Sequence, residues 1–113
     1  MEWLMIAIGG GIGATVRYAV IKLITKLLYP SYYATACVNI VGSFLLGLVI
    51  QNLHTEILLL FFAIGILGAF TTFSTFAFDL VLLSNEGQKR KSIIYLTVNL
   101  VGGILLFAIG YYI

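Results

Sequence analysis

The chain has 113 residues, of which 62% are hydrophobic and only 9% are charged, and its mean hydropathy is +1.15. A soluble domain carries about 25% charged and roughly 45–50% apolar residues, so this composition excludes an ordinary water-soluble protein. It also excludes a disordered chain, which needs low hydrophobicity and high charge. The net charge of +2 is too small for the electrostatic attraction that nucleic-acid binding needs. No nucleic-acid partner is therefore expected.

The few charged residues divide the chain into long uncharged stretches. These stretches cover residues 3–16, 27–55, 57–78 and 92–113. A helix that spans a bilayer needs about 20 apolar residues, so each of the last three stretches holds one span. The first holds a span only if Arg17 lies inside the membrane or extends to its edge. The sequence therefore predicts an all-α membrane protein with a single domain, residues 1–113. Its four transmembrane helices are expected near 3–24, 33–53, 57–83 and 92–113.

Basic residues cluster on one side of the predicted helices. Four spans put both termini on the same side as the connection at 53–56, and that side carries no Lys or Arg. The other side carries the five basic residues of the connections, which are Lys22, Lys26, Lys89, Arg90 and Lys91. Cytoplasmic loops are enriched in Lys and Arg. Both termini are therefore expected to face outward, in one fixed orientation.

Polar and small residues form one stripe on the second predicted helix and another on the fourth. A spacing of four residues puts side chains on one helix face. The first stripe contains Thr35, Asn39, Ser43 and Gly47, and the second contains Tyr95, Asn99 and Gly103. An asparagine inside a membrane usually hydrogen-bonds to another helix, and the alternative for Asn39 is that its amide faces a pore. Two such stripes favour a hydrated or ligand-lined pathway.

The sequence predicts a break near the centre of the third helix. Gly65 and Gly68 weaken a helix, and hydroxyl side chains that follow them can replace backbone hydrogen bonds. These hydroxyl residues are Thr71, Thr72, Ser74 and Thr75. A break inside a membrane is tolerated only where it is buried in protein or lines a cavity. The carbonyl groups that it releases would suit a small hard cation such as Na⁺.

Two phenylalanines lie among these hydroxyl residues. Phe73 and Phe76 are three residues apart and share a helix face. The edge of an aromatic ring is positive, so two rings presented edge-on can contact an anion. Phenylalanines in a membrane are usually packing residues, and the surrounding hydroxyl groups favour the second interpretation here. Neutral donors without rings of acidic side chains indicate an anion pathway rather than a cation pathway.

Arg17 lies well inside the first predicted helix, where a charged side chain needs a partner or a route to water. Its side chain either extends to the basic side of the membrane or lies beside an aqueous vestibule. Asp79, near the end of the third helix, is a candidate ion-pair partner for the second case.

Two further classes of membrane protein fit the size of the chain. An enzyme is not expected, because the residues for catalysis are missing. His54 is the only histidine, so no Ser-His-Asp set or metal cluster is available for catalysis. A small multidrug-resistance-type transporter needs a membrane-embedded carboxylate in its first helix, where only Glu2 occurs, at the very start. A non-transporting four-helix membrane subunit would explain the glycines of the first helix but not the two polar stripes.

Three stretches of the sequence resemble the small fluoride-channel family, the Fluc or CrcB proteins. The first is Gly-Gly-Gly-Ile-Gly-Ala-Thr-Val-Arg-Tyr at 9–18, and the second is Thr-Ala-Cys-Val-Asn-Ile-Val-Gly-Ser-Phe-Leu-Leu-Gly at 35–47. The third is Gly-Ile-Leu-Gly-Ala-Phe-Thr-Thr-Phe-Ser-Thr-Phe at 65–76. Its last six residues, Thr-Thr-Phe-Ser-Thr-Phe, are highly specific for this family. The resemblance implies an antiparallel dimer of four-helix subunits in the cell membrane. Its two pores would let cytoplasmic fluoride leave passively, which gives fluoride resistance.

The resemblance also implies roles for individual residues. Together with the hydroxyl residues beside them, the expected pore residues are Asn39, Phe73, Phe76, Thr35, Ser43, Thr72, Ser74, Thr75 and Tyr95. The backbone carbonyls of Gly68 and Thr71 match those that hold a structural, non-transported Na⁺ at the dimer centre. Arg17 matches an arginine near the vestibule.

The chain departs from the family pattern in two places. Many members have almost no Lys/Arg bias and insert in both orientations, which gives them dual topology, whereas the strong bias here should fix one orientation. An antiparallel dimer then needs an oppositely oriented paralogue, and a heterodimer is the resulting hypothesis. The second departure is Asn99 with Gly103. At these positions other family members can carry small hydroxyl residues, which form part of a polar track along the ion path.

Overall fold

The computed structural model describes all 113 residues, and every regular element in it is helical. The elements are α1 (Glu2–Lys26), α2 (Ser31–Asn52), α3 (Glu56–Leu59), a π segment (Leu60–Leu67), α4 (Gly68–Phe70), α5 (Phe73–Asn85) and α6 (Lys89–Tyr112). The elements from α3 to α5 form one span, Glu56–Asn85, which we call the third span. With α1, α2 and α6 it makes four helices long and apolar enough to cross a membrane. The prediction of an all-helical chain with four such helices is confirmed.

The connection between α5 and α6 is shorter than the sequence predicts. The helices predicted near 57–83 and 92–113 leave residues 84–91 as their connection, but α5 ends at Asn85 and α6 begins at Lys89. Only residues 86–88 connect them, with Gly87 at a φ of 76° in the left-handed region that glycine adopts most easily. Lys and Arg are good helix formers, so the basic run joins the first turn of α6 instead of the loop.

The third span is interrupted halfway, as predicted, but not by its glycines. Thr71 and Thr72 have extended backbone, with ψ values of 158° and 121°. Gly65 stays helical within the π segment, in which backbone N–H groups bond five residues back instead of four. A Cβ atom built on Gly65 would lie 3.0 Å from the Cα of Gly9. Gly65 therefore serves close packing against α1 and does not cause the break.

The two halves of the third span pack against different helices. Residues 56–70 lie mainly along α1, whereas α5 lies mainly along α6. The Ser92 hydroxyl, at the start of α6, donates to the Leu80 carbonyl of α5 at 3.2 Å. α2 packs along α6 over much of its length and reaches both halves of the third span. The interruption at Thr71 and Thr72 is thus the point where the chain passes from one neighbour to the other.

Two glycine contacts set the distances between helices. Gly9 and Gly13 are buried on α1, and a Cβ atom on Gly9 would lie 2.6 Å from the Phe61 carbonyl oxygen. Gly47 and Gly110 bring α2 and α6 together in the same way, since a Cβ on Gly47 would lie 2.8 Å from the Tyr111 nitrogen. Small residues four apart are known to allow such approach between helices in lipid.

Little of the chain is buried, and the buried set is unusually polar for so apolar a sequence. Eighteen residues are buried, and apart from Ala34 and six glycines they fall into two small apolar clusters and a polar set. One cluster contains Val38, Leu67 and Phe70, and the other contains Phe76, Leu83 and Tyr95. The buried polar residues are Thr35, Thr72, Asp79, Ser92 and Asn99. Polar groups away from water need internal partners, which makes these contacts the specific part of the interior.

We predict that Gly13→Ala destabilises the protein by about 1–3 kcal/mol, the usual range for overpacking. A Cβ at this position would overlap the Ile66 carbonyl, which is backbone and cannot rotate away. Gly11→Ala is the matched control, because no atom lies within 4 Å of its added Cβ. Thermal unfolding of the two variants in detergent should show a lower midpoint for Gly13→Ala only. Equal midpoints would contradict the packing described for α1.

Candidate functional site

Two threonines terminate the half-helices on either side of the break. The Thr71 hydroxyl donates to the Leu67 carbonyl at 2.9 Å at the end of the first half. Thr72 is the N-cap of α5, and its Oγ1 accepts from the Thr75 N–H at 3.2 Å. The same Oγ1 donates to the Thr75 hydroxyl at 3.1 Å. Threonine is a favoured N-cap because its side-chain oxygen replaces the acceptor that the first turn lacks. The two hydroxyls therefore make the break a defined turn.

Asn39 of α2 closes the break from the side. The Thr72 N–H donates to Asn39 Oδ1 at 2.8 Å, and Asn39 Nδ2 donates to the Thr72 carbonyl at 3.0 Å. One amide thus satisfies both backbone groups of a residue that lies outside the helix. These bonds also fix which way the amide points, since only Oδ1 can accept from an N–H. The contact is of the helix-to-helix type that was one of the two alternatives for Asn39.

The same bonds release two backbone carbonyls. In a continuous helix the Thr72 N–H would donate to the Gly68 carbonyl, and the Thr75 N–H to the Thr71 carbonyl. Here the first donates to Asn39 Oδ1 and the second to Thr72 Oγ1. The carbonyls of Gly68 and Thr71 therefore lose their helical donors. Both residues line the same cleft.

This cleft has a volume of about 310 Å³ and lies along the break. It brings together seven of the sequence-predicted site residues, which are Asn39, Ser43, Gly68, Thr71, Thr72, Phe73 and Phe76. The other lining residues are Gly42, Leu46, Ala63, Leu67, Asn99 and Leu100. None of the lining residues is charged. The cleft is open to the surface of the chain, because Gly68 and Phe73 are exposed.

A row of aromatic rings leads from the cleft into the interior. The rings of Phe73 and Phe76 are 5.9 Å apart between centroids, and those of Phe76 and Tyr95 are 5.4 Å apart. Phe73 is 78% exposed, whereas Phe76 is only 6% exposed. The two phenylalanines share a helix face, but only Phe76 is enclosed by this chain. The row continues to Tyr32, whose ring lies 5.7 Å from that of Tyr95.

Asp79 forms a buried polar cluster with Thr35 and Tyr95, one helical turn beyond Phe76. Its Oδ2 accepts from the Thr35 hydroxyl at 3.1 Å and from the Tyr95 hydroxyl at 3.3 Å. These two hydroxyls, and not the candidate Arg17, are the side-chain partners of the carboxylate in this structure. The sequence held a signal for this: the buried side chains at Thr72, Phe76, Asp79 and Leu83 follow a 4-3-4 spacing. That spacing puts Asp79 on the Phe76 face, toward α2 and α6.

Three predicted residues lie outside both the cleft and this cluster. Ser74 is exposed in the first turn of α5, with its hydroxyl 3.4 Å from that of Thr72. Thr75 is half-buried and holds the N-cap of α5. Arg17 is half-buried on α1, the helix that packs along the first half of the third span.

Sequence reasoning missed one contact of the cleft. Asn39 Nδ2 lies 3.4 Å from Asn99 Oδ1, which joins the two polar stripes at their central positions. The signal was present, because Val-Asn-Ile-Val-Gly at 38–42 is repeated as Val-Asn-Leu-Val-Gly at 98–102. Matching positions on two helices in close contact are natural neighbours.

The chain matches known proteins over nearly its whole length. A family model described as "CrcB-like protein, Camphor Resistance (CrcB)" matches residues 4–111. A "Fluoride-specific ion channel FluC" of Idiomarina loihiensis is 37% identical over 106 residues, which cover 89% of this chain and 82% of that protein. "Fluoride-specific ion channel FluC 1" of Halalkalibacterium halodurans is 39% identical over 122 residues, covering 99% and 96%. "Fluoride-specific ion channel FluC 2" of Clostridium acetobutylicum is 36% identical over 114 residues, covering 100% and 97%.

These matches confirm the resemblance seen in the sequence, and the relatives are ion channels and not enzymes. The chain belongs to the CrcB-like family.

Proposed function

We propose that the chain is a subunit of a fluoride-specific ion channel through which cytoplasmic fluoride leaves the cell passively. The observation that carries this proposal is the uncharged cleft at the break, lined by amide, hydroxyl and phenyl groups. The names of the relatives supply the identity of the ion. The resulting loss of fluoride from the cytoplasm would give fluoride resistance, with the channel in the cell membrane.

Neutral groups in the cleft suit a small anion that must bind and leave again. Conduction requires an affinity strong enough for entry and weak enough for release. A basic side chain would bind fluoride tightly, and an acidic one would repel it; neither lines the cleft. The first turn of α5 is at the cleft, where Thr72, Phe73 and Phe76 line it. The positive end of that helix dipole favours an anion there.

The aromatic row begins at the cleft. Phe73 and Phe76 lie side by side, and their planes are tilted by 52°. Tilted rings present positive edges rather than only their negative faces. Beyond Phe76 the hydroxyls of Tyr95 and Thr35 follow, both bonded to Asp79. We infer that fluoride contacts the edges of the Phe73 and Phe76 rings at the cleft, and that the Asp79 carboxylate, which takes both hydroxyls, would repel an ion that moved further along the row.

We predict that Phe76→Ile lowers fluoride efflux from liposomes about tenfold. The substitution keeps an apolar side chain but removes the ring edge, and a tenfold effect corresponds to ~1.4 kcal/mol, within the range of one aromatic contact. Efflux is measured with a fluoride electrode, and chloride efflux is measured in parallel. Phe78→Ile is the matched control, since Phe78 lies on the same helix but is 66% exposed and away from the cleft.

Two results would argue against the channel. One is the absence of fluoride efflux from the reconstituted protein, whether alone or with its partner subunit. The other is an equal loss for Phe76→Ile and Phe78→Ile, which would mean that the ring edge at the cleft is not what the ion contacts.

The released carbonyls of Gly68 and Thr71 fit a structural Na⁺. Carbonyl oxygens are ligands that hard cations accept, and these two have lost their helical donors. A cation held there would offset the partial negative charge at the end of the first half-helix. Its role would be structural, and it would not be transported. Two carbonyls leave most of a coordination shell open, which an antiparallel second subunit would complete.

We predict that replacing Na⁺ on both sides by N-methylglucamine lowers fluoride efflux, because the released carbonyls then lose their cation. The effect should reverse when Na⁺ is restored. In the control, Na⁺ is replaced by potassium, a larger cation, at the same ionic strength. Unchanged efflux after exhaustive removal of Na⁺ would exclude a functional role for these carbonyls.

The open side of the cleft supports an antiparallel dimer. Gly68 and Phe73 lie at the cleft and are exposed in the single chain, so a second subunit would enclose them. The basic residues at the end of α1 and the start of α6 are all exposed. They are Lys22, Lys26, Lys89, Arg90 and Lys91. Their one-sided placement favours a single orientation. A partner that faces the other way is then a paralogue with the opposite bias, and the assembly is a heterodimer.

We predict that the chain co-purifies from native membranes with an oppositely oriented paralogue and conducts little when expressed alone. A variant with Lys89→Gln, Arg90→Gln and Lys91→Gln weakens the bias, because it removes three of the five basic residues on that side. This variant should insert in both orientations and recover efflux without the partner. Full efflux from the unaltered chain expressed alone would contradict the heterodimer and favour a homodimer.

A further inference from the structure

Only one of the two side-chain N–H groups of Asn39 donates to the backbone at the break. The Thr72 carbonyl takes one of the two amide protons at 3.0 Å. The nearest acceptor for the other is Asn99 Oδ1, at 3.4 Å from Asn39 Nδ2. That distance exceeds the usual 2.7–3.2 Å of an N–H···O bond. The second proton is therefore held weakly, in a residue that is otherwise pinned in place.

Asn99 is itself held so that it can only accept from Asn39. Its Nδ2 donates to the Tyr95 carbonyl, one turn earlier in α6, at 2.9 Å. This bond fixes the amide and turns Oδ1 toward α2. Asn99 is 8% exposed, so its position is enclosed by protein. Both asparagines line the cleft at the break, and the weak bond between them therefore lies at the wall of that cleft.

We propose that Asn99 Oδ1 is an internal acceptor that competes with fluoride for the second N–H of Asn39. In the absence of an anion the neutral carbonyl oxygen of Asn99 occupies this donor. A fluoride ion in the cleft displaces it, because hydrogen bonds to a charged acceptor are roughly twice as strong as neutral ones. Asn99 thereby sets the fluoride affinity of this chain. It is a positioning residue that acts through Asn39, and the identity of the anion rests on the function proposed above.

The competition favours rapid release as well as binding. When the ion leaves, the Asn39 N–H donates again to Asn99 Oδ1, so this half-buried donor keeps an acceptor within the protein. A smaller hydroxyl or apolar residue at position 99 would not offer this acceptor at the same place.

The test compares Asn99→Ala with Asn52→Ala in the reconstituted channel. Asn52 is a matched control, since its Nδ2 also donates to a carbonyl four residues earlier, that of Leu48, but at an exposed site at the end of α2. Fluoride is added as the sodium salt at constant total Na⁺. Its binding is followed by NMR of ¹⁵N-labelled asparagine side-chain amides and by the fluoride concentration that gives half-maximal efflux.

Asn99→Ala is expected to lower the half-saturating fluoride concentration roughly two- to tenfold, the range that the net contribution of one hydrogen bond allows. Asn99→Asp retains an acceptor and adds a negative charge, so it should raise that concentration by about tenfold or more. Asn99→Ser serves as a second variant of smaller volume change, and its value should fall on the side of Asn99→Ala. Asn52→Ala should match the wild type.

Weaker fluoride binding by Asn99→Ala would overturn the inference, since it would make Asn99 a donor to the ion and not a competitor. An effect no larger than that of Asn52→Ala would also overturn it. Failure of the proposed function is distinguishable: the wild-type assembly would then show no fluoride efflux, while the NMR titration would still report whether fluoride shifts the Asn39 amide and whether Asn99→Ala strengthens that shift.

Discussion

Two hydrogen bonds between the Asn39 side chain and the Thr72 backbone hold the third span together at its interruption. Within the span, the Thr72 N–H has no helical acceptor, and lipid offers none, whereas the Thr72 carbonyl can accept the first helical bond of α5 as its N-cap. Such an N–H group would cost several kcal/mol if it stayed unpaired in a bilayer. One amide supplies both an acceptor and a donor, whereas an aliphatic side chain at position 39 would supply neither. The interruption is tolerated because α2 carries Asn39 directly beside Thr72.

The chemistry of the cleft follows from that arrangement. Because Asn39 and the Thr72 hydroxyl take the N–H groups of Thr72 and Thr75, the carbonyls of Gly68 and Thr71 are free and a new helix begins beside them. Partial negative and partial positive backbone groups thus lie within a few residues of each other. No ionised side chain is needed to provide either the partial negative or the partial positive charge. An apolar chain with 9% charged residues can in this way offer polar groups to an ion inside a membrane.

The sequence was most informative where spacing alone decides the outcome. Uncharged stretches of sufficient length predicted four spans, and the glycines and hydroxyl residues of 65–75 together predicted the interruption. Partners across helices were harder to predict, because a spacing of four residues identifies a face but not the helix which that face meets. Asp79 illustrates this: its charge suggested Arg17, but rotation of α5 directs it to Thr35 and Tyr95. Gly65 was assigned to the break for its low helix propensity, yet its role is set by α1, which propensity does not report.

The docking of the third span also has a mechanical consequence. Its first half is attached to α1 through backbone contacts at Gly9 and Gly65 that leave no room for adjustment. Its second half is attached to α6 through the Ser92 bond and the Phe76 ring. Any sliding of α1 against α6 therefore falls on the two extended residues between them, which lack helical stiffness. Such a displacement would act on the bonds between Asn39 and Thr72 and would change the width of the cleft.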